Sequence, residues 1–195
     1  GERGDRSRED LRGRPGHPVG EQPFAIRRHE RHGSDTGAGD RGFCSGADLK
    51  ERKGMTDATW RRQHAIIEQA IRAMMECPIP IIAAVNGPAY AGGCELALAT
   101  DFVYATPTAK FALTEVTLGI MPGAAGTQNL PRAIGVRRAK EMILTGTPIA
   151  ASDALAWGLV NKIVPAENLM SEVTKVAQRI ASNAPVSVRQ AKKSI

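Results

Sequence analysis

The chain has 195 residues, of which 42% are hydrophobic, and a formal net charge of +6 at pH 7; this is enough length and apolar content for one sizeable globular domain. Cys44, Cys77 and Cys94 have neither CxxC nor Cys/His ligand spacing, so they indicate neither a disulfide framework nor a zinc site. No apolar run reaches the roughly 20 residues that span a bilayer and the start lacks the apolar core of a secretory signal, so we expect a cytoplasmic protein.

The first 35 residues differ in composition from the rest of the chain. They are rich in Arg, Gly and Pro, and their only large apolar residues are Leu11, Val19, Phe24 and Ile26. Such a segment buries too little apolar surface to offset its ordering entropy. We therefore predict that residues 1–35 are disordered or loosely attached and that residues 36–195 form the folded domain.

The positive charge does not by itself indicate a nucleic-acid-binding protein. In residues 1–42 nine arginines are nearly balanced by eight acids, and aromatic residues make up only 4% of the chain. Base-stacking side chains are therefore scarce, and the charge is not gathered into one basic segment. We do not expect nucleic acid as the main partner.

The first predicted element of the domain is a helix in "TWRRQHAIIEQAIRAMMECP", whose apolar residues recur at helical spacing and which Pro78 and Pro80 end. His64 lies on its apolar face and is interpreted as a histidine at the core edge rather than a catalytic one. The short apolar run "IPIIAAVNG" then predicts a strand buried on both faces.

The remaining segments alternate between predicted helices and strands. "CELALATD" predicts a short helix, "FVYAT" and "KFAL" predict strands, and "VRRAKEMILTG" predicts a helix closed by Gly146. Ser152 is the predicted N-cap of a helix in "SDALAWGLV", "NKIVP" predicts a strand, and "ENLMSEVTKVAQRIASNAP" predicts a longer amphipathic helix. This alternation indicates an α/β fold with a largely parallel sheet and crossover helices.

Two glycine-rich turns, "FCSGADLKE" and "YAGGCELA", precede predicted helices. Backbone amides at a helix start have no intrahelical partner, and small neighbours let a carbonyl oxygen approach them. Each turn is a candidate donor to an oxyanion hole, although either turn taken alone is also explained as structural. Neither is a nucleotide-binding fingerprint, since the chain has no G-x-x-x-x-G-K-[ST].

Two carboxylates stand near these turns. Glu95 lies two residues after Gly93 in the first turn of a predicted helix, where the helix dipole alone would account for an acid. Glu115 lies between an apolar strand and a glycine-rich loop with no cationic neighbour in sequence, so its pKa should rise toward the range useful for proton transfer. If both face one pocket, they can bind and polarise a water.

Four motifs that occur in this order resemble the enoyl-CoA hydratase (crotonase) family: "GFCSGADLKER", "AAVNGPAYAGGCELALATDF", "FALTEVTLGIMPGAAGTQNLPRAIG" and "AKEMILTGTPIAASDALAWGLVNKIVP". The resemblance runs from about Thr36 to the C-terminus. It implies a crotonase-like α/β fold, in which ββα-type repeats pack as a spiral with helices. It also implies fatty-acid or branched-chain acyl catabolism as the metabolic setting.

The resemblance implies a role for each matching residue. The backbone N–H groups of Ala47 and Gly92 would hold the thioester carbonyl as it becomes an enolate. Glu95 and Glu115 would orient a water for attack at C3 of a 2-enoyl thioester, and one of them would deliver a proton to C2. Gly123 would line the same site.

The resemblance also implies partners. Lys50 is a candidate ligand of a CoA phosphate, although an exposed helix lysine is an equally good interpretation. The CoA thioester is the substrate, and no metal or redox cofactor is expected. A homotrimer or a dimer of trimers is expected, in the cytoplasm or, in a eukaryote, in the mitochondrial matrix.

Two alternatives to a hydratase remain open within the same fold. Relatives that isomerise the double bond commonly change one or both acids, so retention of Glu95 and Glu115 favours hydration over an enoyl-CoA isomerase. "ADLKER" is similar to the methylglutaconyl-CoA hydratase branch, some members of which bind AU-rich RNA. A non-catalytic, RNA-binding crotonase-fold protein is therefore the other alternative.

The sequence departs from the family pattern in three places. Ala91 stands where the family usually has the first of three glycines, which adds a methyl group beside the acyl chain. "RRHERHGSD" stands where a hydrophobic strand is usual, and a shifted reading frame is our hypothesis for residues 1–35. The chain stops at "VRQAKKSI", where the family continues into helices that cover the site and build the trimer. We therefore expect a fold without the usual N-terminal strands and C-terminal helices.

Overall fold

A computed structural model describes residues 24–26 and 42–195 of the chain. Its strands are β1 (Phe24–Ile26), β2 (Ile81–Val85), β3 (Ala89–Tyr90), β4 (Phe102–Ala105), β5 (Lys110–Ala112), β6 (Ile149–Ala150) and β7 (Lys162–Ile163). Its α-helices are α1 (Leu49–Arg52), α2 (Asp57–Met75), α3 (Gly92–Leu98), α4 (Gly126–Ile134), α5 (Val136–Thr145), α6 (Ala151–Trp157), α7 (Leu169–Ala181) and α8 (Pro185–Ser194). Two 3₁₀ helices span Glu115–Leu118 and Ala166–Asn168.

The strands form two small sheets. The first has the order β1-β2-β4-β7 and is parallel throughout. The second has the order β3-β5-β6, in which β3 and β5 are parallel and β5 and β6 are antiparallel. The prediction of a largely parallel arrangement with crossover helices is therefore confirmed, and β6 is its exception.

Strand β2 is buried on both faces, as its uninterrupted apolar sequence predicts. Ala83 and Val85 belong to the main core cluster, which also takes in β3, β5 and helices α4 to α6. Ile82 and Ala84 point the other way, because successive strand residues face opposite sides, and belong to the cluster that includes residues of α7. The sheet thus separates two apolar layers.

Several predicted helix ends agree with the structure, and one does not. Gly146 adopts the left-handed conformation (φ 65°) that ends α5, as predicted. The prediction of Ser152 as an N-cap is wrong, because α6 begins at Ala151 and Ala150 occupies the cap position. The cause is tertiary: β6 leads directly into the helix, so the strand register decides which residue caps it.

Part of the N-terminal segment is described. Residues 24–26, within the stretch that was expected to be disordered or loosely attached, form β1, which pairs in parallel with β2 from Phe24↔Ile81 to Ile26↔Ala83. The remainder of residues 1–35 lies outside the described residues. Among the helices that the structure describes, none combines the length and apolar character needed to cross a membrane.

Candidate active site

The two glycine-rich turns predicted as oxyanion donors lie against each other. Gly46 has φ +90°, and a β-carbon there would lie 3.0 Å from the amide nitrogen of Gly92. A β-carbon on Gly93 would collide with the carbonyl oxygen of Cys44. Only residues without a side chain permit this approach, so the segment from Cys44 to Ala47 is seated on the start of α3.

The two predicted donor amides occupy adjacent positions in this contact. Ala47 directly follows Gly46, and Gly92 is the first residue of α3, where an N–H has no intrahelical acceptor. Before Gly92, Ala91 adopts φ 48° and ψ −124°, a backbone conformation that favours glycine. The α3 start therefore has an unusual backbone turn next to the proposed donors.

Glu95 is buried in the first turn of α3, with 3% of its surface exposed. Its Oε1 accepts hydrogen bonds from the backbone N–H groups of Ala124 (2.8 Å) and Gly126 (2.9 Å). Burial raises the pKa of Glu95, and the two amides, together with the charge of His64, oppose that rise. A β-carbon on Gly126 would come within 2.8 Å of Oε1, so this glycine makes room for the carboxylate.

Glu115 is buried in a poorer hydrogen-bonding environment. It begins the first 3₁₀ helix, is 6% exposed, and its Oε2 has no hydrogen-bond partner among the described residues. Burial raises the pKa of Glu115, the negative charge of Glu95 raises it further, and its own backbone N–H opposes the rise. The two acids therefore interact electrostatically, and Glu115 is the one with the weaker stabilisation of its charge.

Cys94 is fully buried, and the charges of both acids act on its thiol. Burial, Glu115 and Glu95 all raise the pKa of its thiol, in that order. The side chain therefore remains a neutral thiol, which fills space in the core and adds no third charge to the pair.

Gly123 lies on the loop that precedes α4, close to helix α2. A β-carbon on Gly123 would be 3.2 Å from Cε1 of His64. Beside this contact is a cavity of about 440 Å³ between α2 and the loop. Its lining residues are Glu68, Ile71, Arg72, Met75, Glu76, Gly123, Ala124 and Ala125.

Lys50 lies on the exposed surface of α1, three residues after Ala47. Its backbone N–H donates to Oδ1 of Asp48 (2.8 Å), the N-cap of that helix. Within residues 24–26 and 42–195, no group of three or more His, Cys, Asp or Glu side chains is arranged to hold a metal ion.

The structure thus brings together Glu95, Glu115 and the turns that contain Ala47 and Gly92. The amide donors of Ala124 and Gly126 were not predicted from the sequence, although the small residues in "MPGAAG" after Glu115 are a signal for such a loop. The contact of His64 with this loop was not predicted either, because helical spacing shows which face a residue shares but not what packs against that face.

Known proteins resemble this chain in sequence. The chain matches the family described as enoyl-CoA hydratase/isomerase over residues 36–195. It is 43% identical over 160 residues to the short-chain-enoyl-CoA hydratase of Clostridium acetobutylicum. The matched region is 82% of this chain and 61% of that protein. It is 46% identical over 160 residues to a protein of Mycosarcoma maydis named as an enoyl-CoA isomerase/hydratase, with 78% and 56% covered.

Solved structures resemble this chain in fold as well as in sequence. The crystal structure of an enoyl-CoA hydratase from Bacillus anthracis superposes with a TM-score of 0.78 at 50% sequence identity, covering 81% of this chain and 61% of that one. These similarities show a crotonase-like fold, as the motifs predicted. The chain spans about three fifths of the length of the relatives that it matches.

Proposed function

Because the chain belongs to the enoyl-CoA hydratase/isomerase family, we propose that it catalyses the reversible addition of water across the 2,3 double bond of a 2-enoyl-CoA thioester. The observation that carries the proposal is the pair of buried, electrostatically coupled acids, Glu95 and Glu115, next to two glycine turns. The reaction requires no metal or redox cofactor in this proposal, and the CoA thioester is the substrate.

The adjacent turns support an oxyanion hole for the thioester. When hydroxide adds to C3, the electron pair of the double bond moves onto the thioester oxygen. The N–H groups of Ala47 and Gly92 would donate to this oxygen as its charge develops. One such preorganised donor is typically worth about 3 to 4 kcal/mol of barrier.

The different environments of Glu95 and Glu115 suit them to different roles in proton transfer. Two backbone amides stabilise the charged form of Glu95, which suits a general base. Glu115 has an unpartnered oxygen and a pKa raised by burial and by the charge of Glu95, which suits a general acid. The same residue type therefore supplies both halves of the proton transfer.

The proposed steps balance as follows. The Glu95 carboxylate takes one proton from a water, whose oxygen forms a bond to C3 of the substrate. The protonated Glu115 gives its proton to C2, the enolate collapses to the thioester carbonyl, and a 3-hydroxyacyl thioester results. The proton on Glu95 then passes to Glu115 through solvent, which restores both starting states.

Three further points belong to the same proposal. Lys50, exposed on the helix that follows Ala47, is the candidate ligand of a CoA phosphate. We expect assembly as a homotrimer or dimer of trimers. We expect the protein to act in the cytoplasm, or in the mitochondrial matrix of a eukaryote, in fatty-acid or branched-chain acyl catabolism.

The test uses the full chain with crotonyl-CoA and follows the absorbance of the 2-enoyl thioester. Wild type should consume the substrate, and Glu95→Gln and Glu115→Gln should each lower kcat by about 10²- to 10⁴-fold, the usual contribution of one acid or base. Glu141→Gln, the same change at an exposed position of α5, should leave the rate unchanged.

The same assay separates the alternatives. Equal activity in all four proteins would reject the paired-acid mechanism. Conversion of a 3-enoyl-CoA to the 2-enoyl isomer without hydration would favour the isomerase activity that appears in the name of the Mycosarcoma maydis relative. If no thioester is consumed but RNA is retained with a strong salt dependence, the non-catalytic alternative gains.

A further inference from the structure

The imidazole of His64 is held in a fixed position on helix α2. The ring of Trp60 stacks on it with a centroid distance of 4.8 Å and an interplanar angle of 12°. Glu68 Oε1 lies 3.3 Å from its Nε2. The three residues are four positions apart and so share one face of the helix, which means that His64 is fixed by neighbours on both sides along that face.

The same imidazole contacts the loop that binds Glu95. Its Cε1 lies 3.2 Å from the point where a β-carbon on Gly123 would stand, so the ring occupies space that a side chain at Gly123 would need. The next residue, Ala124, donates its N–H to Glu95. The loop is thus in contact with His64 on α2 and with Glu95 on α3.

The charges at this contact favour an ionised Glu95. A protonated imidazole attracts the Glu95 carboxylate, and His64 is one of the groups that oppose the rise in the pKa of Glu95. Glu68 on the same helix contacts His64, and Glu95 on α3 is affected by its charge. The segment between them, "GAAG", carries no ionisable side chain.

We propose that His64 is a positioning residue for Glu95: held by Trp60 and Glu68 against Gly123, its imidazole keeps the loop amides of Ala124 and Gly126 seated on the Glu95 carboxylate and places a basic group beside that loop. The inference rests on the proposed function only for its kinetic consequence, because the effect on the ionisation of Glu95 exists with or without substrate. Glu68 assists indirectly, since its contact with Nε2 helps to hold the ring in place.

The sign of the effect follows from the role of Glu95. A general base must be ionised, so activity falls as the pH drops through the pKa of Glu95. The charge of His64 opposes the rise in the pKa of Glu95. Removal of the imidazole should therefore raise that pKa further and move the acidic limb of the rate profile to higher pH.

The first experiment measures ionisation directly. The full chain is labelled with carbon-13 at the Glu side-chain carboxyls, and the Glu95 resonance is assigned by its loss in Glu95→Gln. In His64→Gln, the midpoint of Glu95 should rise by about half a pH unit or more, the size expected for one partly solvated charge nearby. His64→Lys retains a cation and should bring the midpoint back toward the wild-type value.

The matched control is Arg62→Gln. It removes one positive charge from the same helix at an exposed position, two residues from His64 and therefore on a different face. Its Glu95 midpoint should equal that of wild type. Identical midpoints in wild type, His64→Gln and His64→Lys would overturn the proposal, as would an equal rise in Arg62→Gln.

The second experiment uses kcat/KM for crotonyl-CoA as a function of pH. The acidic limb of His64→Gln should lie about half a unit higher, so that at acidic pH its rate is roughly threefold below wild type, while the two profiles coincide at alkaline pH. A uniform loss at every pH would indicate a structural role and contradict the proposal.

The two experiments fail independently. A shifted Glu95 midpoint in a protein that hydrates no thioester would retain the role of His64 and reject the proposed function. An active hydratase whose Glu95 midpoint and acidic limb are unchanged in His64→Gln would retain the function and reject the role of His64. Thermal unfolding of each variant shows that a folded protein is being compared.

Discussion

Glu95 and Glu115 have the same side chain in two different environments. Both are buried, yet Glu95 has two amide donors while one oxygen of Glu115 has no partner in the described part of the structure. Burial without full compensation costs folding free energy. Under the proposed function, this cost in stability would accompany an acid that must hold a proton which an exposed carboxyl would release.

Ala91 has an unfavourable backbone conformation at this site. Its φ of 48° and ψ of −124° lie in a region that residues with a β-carbon rarely adopt. Its N–H donates to the carbonyl of Ala112 in β5, and its own carbonyl accepts from the amides of Cys94 and Glu95. These hydrogen bonds hold the strained conformation in place, because abandoning it would break them.

Ala91→Gly should therefore stabilise the protein. We expect the free energy of unfolding to rise by about 1 kcal/mol, since the relief of strain exceeds the entropy that glycine adds to the unfolded chain. Urea denaturation followed by circular dichroism measures this. Ala97→Gly, inside α3 with ordinary helical geometry, should instead lower stability by about 1 kcal/mol or more; a loss of similar size in both variants would contradict the strain at Ala91.

At the scale of elements, the site is built from short pieces held by longer ones. Helix α3 has seven residues and the 3₁₀ helix that starts at Glu115 has four, so neither is stable by itself. Helix α4 and strands β3 and β4 pack against α3, and α5 packs against the 3₁₀ helix. The positions of the two acids therefore depend on the core more than on helix propensity.

Helix α8 shows a different mode of attachment, because none of its residues is buried. Lys192 Nζ lies 2.7 Å from Asp101 Oδ2 and donates to the carbonyl oxygen of Ile79 (2.9 Å). Asp101 Oδ2 also accepts from the backbone N–H of Ile81 at the start of β2. A half-buried ion pair thus joins the last helix to the central sheet.

Lys192→Met should loosen α8 while the rest of the fold persists. We expect a local loss of about 1 kcal/mol, which corresponds to roughly fivefold faster hydrogen exchange of the α8 amides. Hydrogen–deuterium exchange with mass spectrometry measures it, with Lys193→Met, at an exposed neighbouring position, as the control. Unchanged exchange in Lys192→Met would show that other contacts hold the helix.

At the scale of the whole molecule, the two sheets share one core. The main cluster contains Val85 and Val103 from the first sheet and Phe111 from the second. Leu130 from α4 and Met142 from α5 join the same cluster. Because both sheets contribute side chains to one apolar cluster, we expect the domain to unfold as one cooperative unit.

Leu130→Ala tests this sharing of the core. Leu130 is fully buried, and its truncation should lower the free energy of unfolding by about 2 to 4 kcal/mol through lost apolar contact and the cavity left behind. Calorimetry should show a single transition at a lower temperature, whereas two separated transitions would contradict one shared core. Leu144→Ala, at a position 71% exposed, should change stability by less than about 0.5 kcal/mol.

The sequence by itself determined the elements whose signals are local. The buried strand in "IPIIAAVNG", the long helix before Pro78, the glycine that ends α5 and the apolar face of α7 were all predicted and are all observed. Spacing and composition are sufficient there, because burial on one face or two follows directly from the order of apolar residues. The motifs likewise identified the family that the comparisons show.

The tertiary structure decided what no local pattern contains. Glu95 receives its hydrogen bonds from residues 29 and 31 positions away, His64 meets the site through Gly123, and the register of β6 rather than the presence of Ser152 sets the start of α6. A pattern reports which residues share a face, but the partner of that face is chosen by packing across the chain. The pKa values of the two acids depend on those partners, because burial raises both and the amides of Ala124 and Gly126 oppose the rise at Glu95.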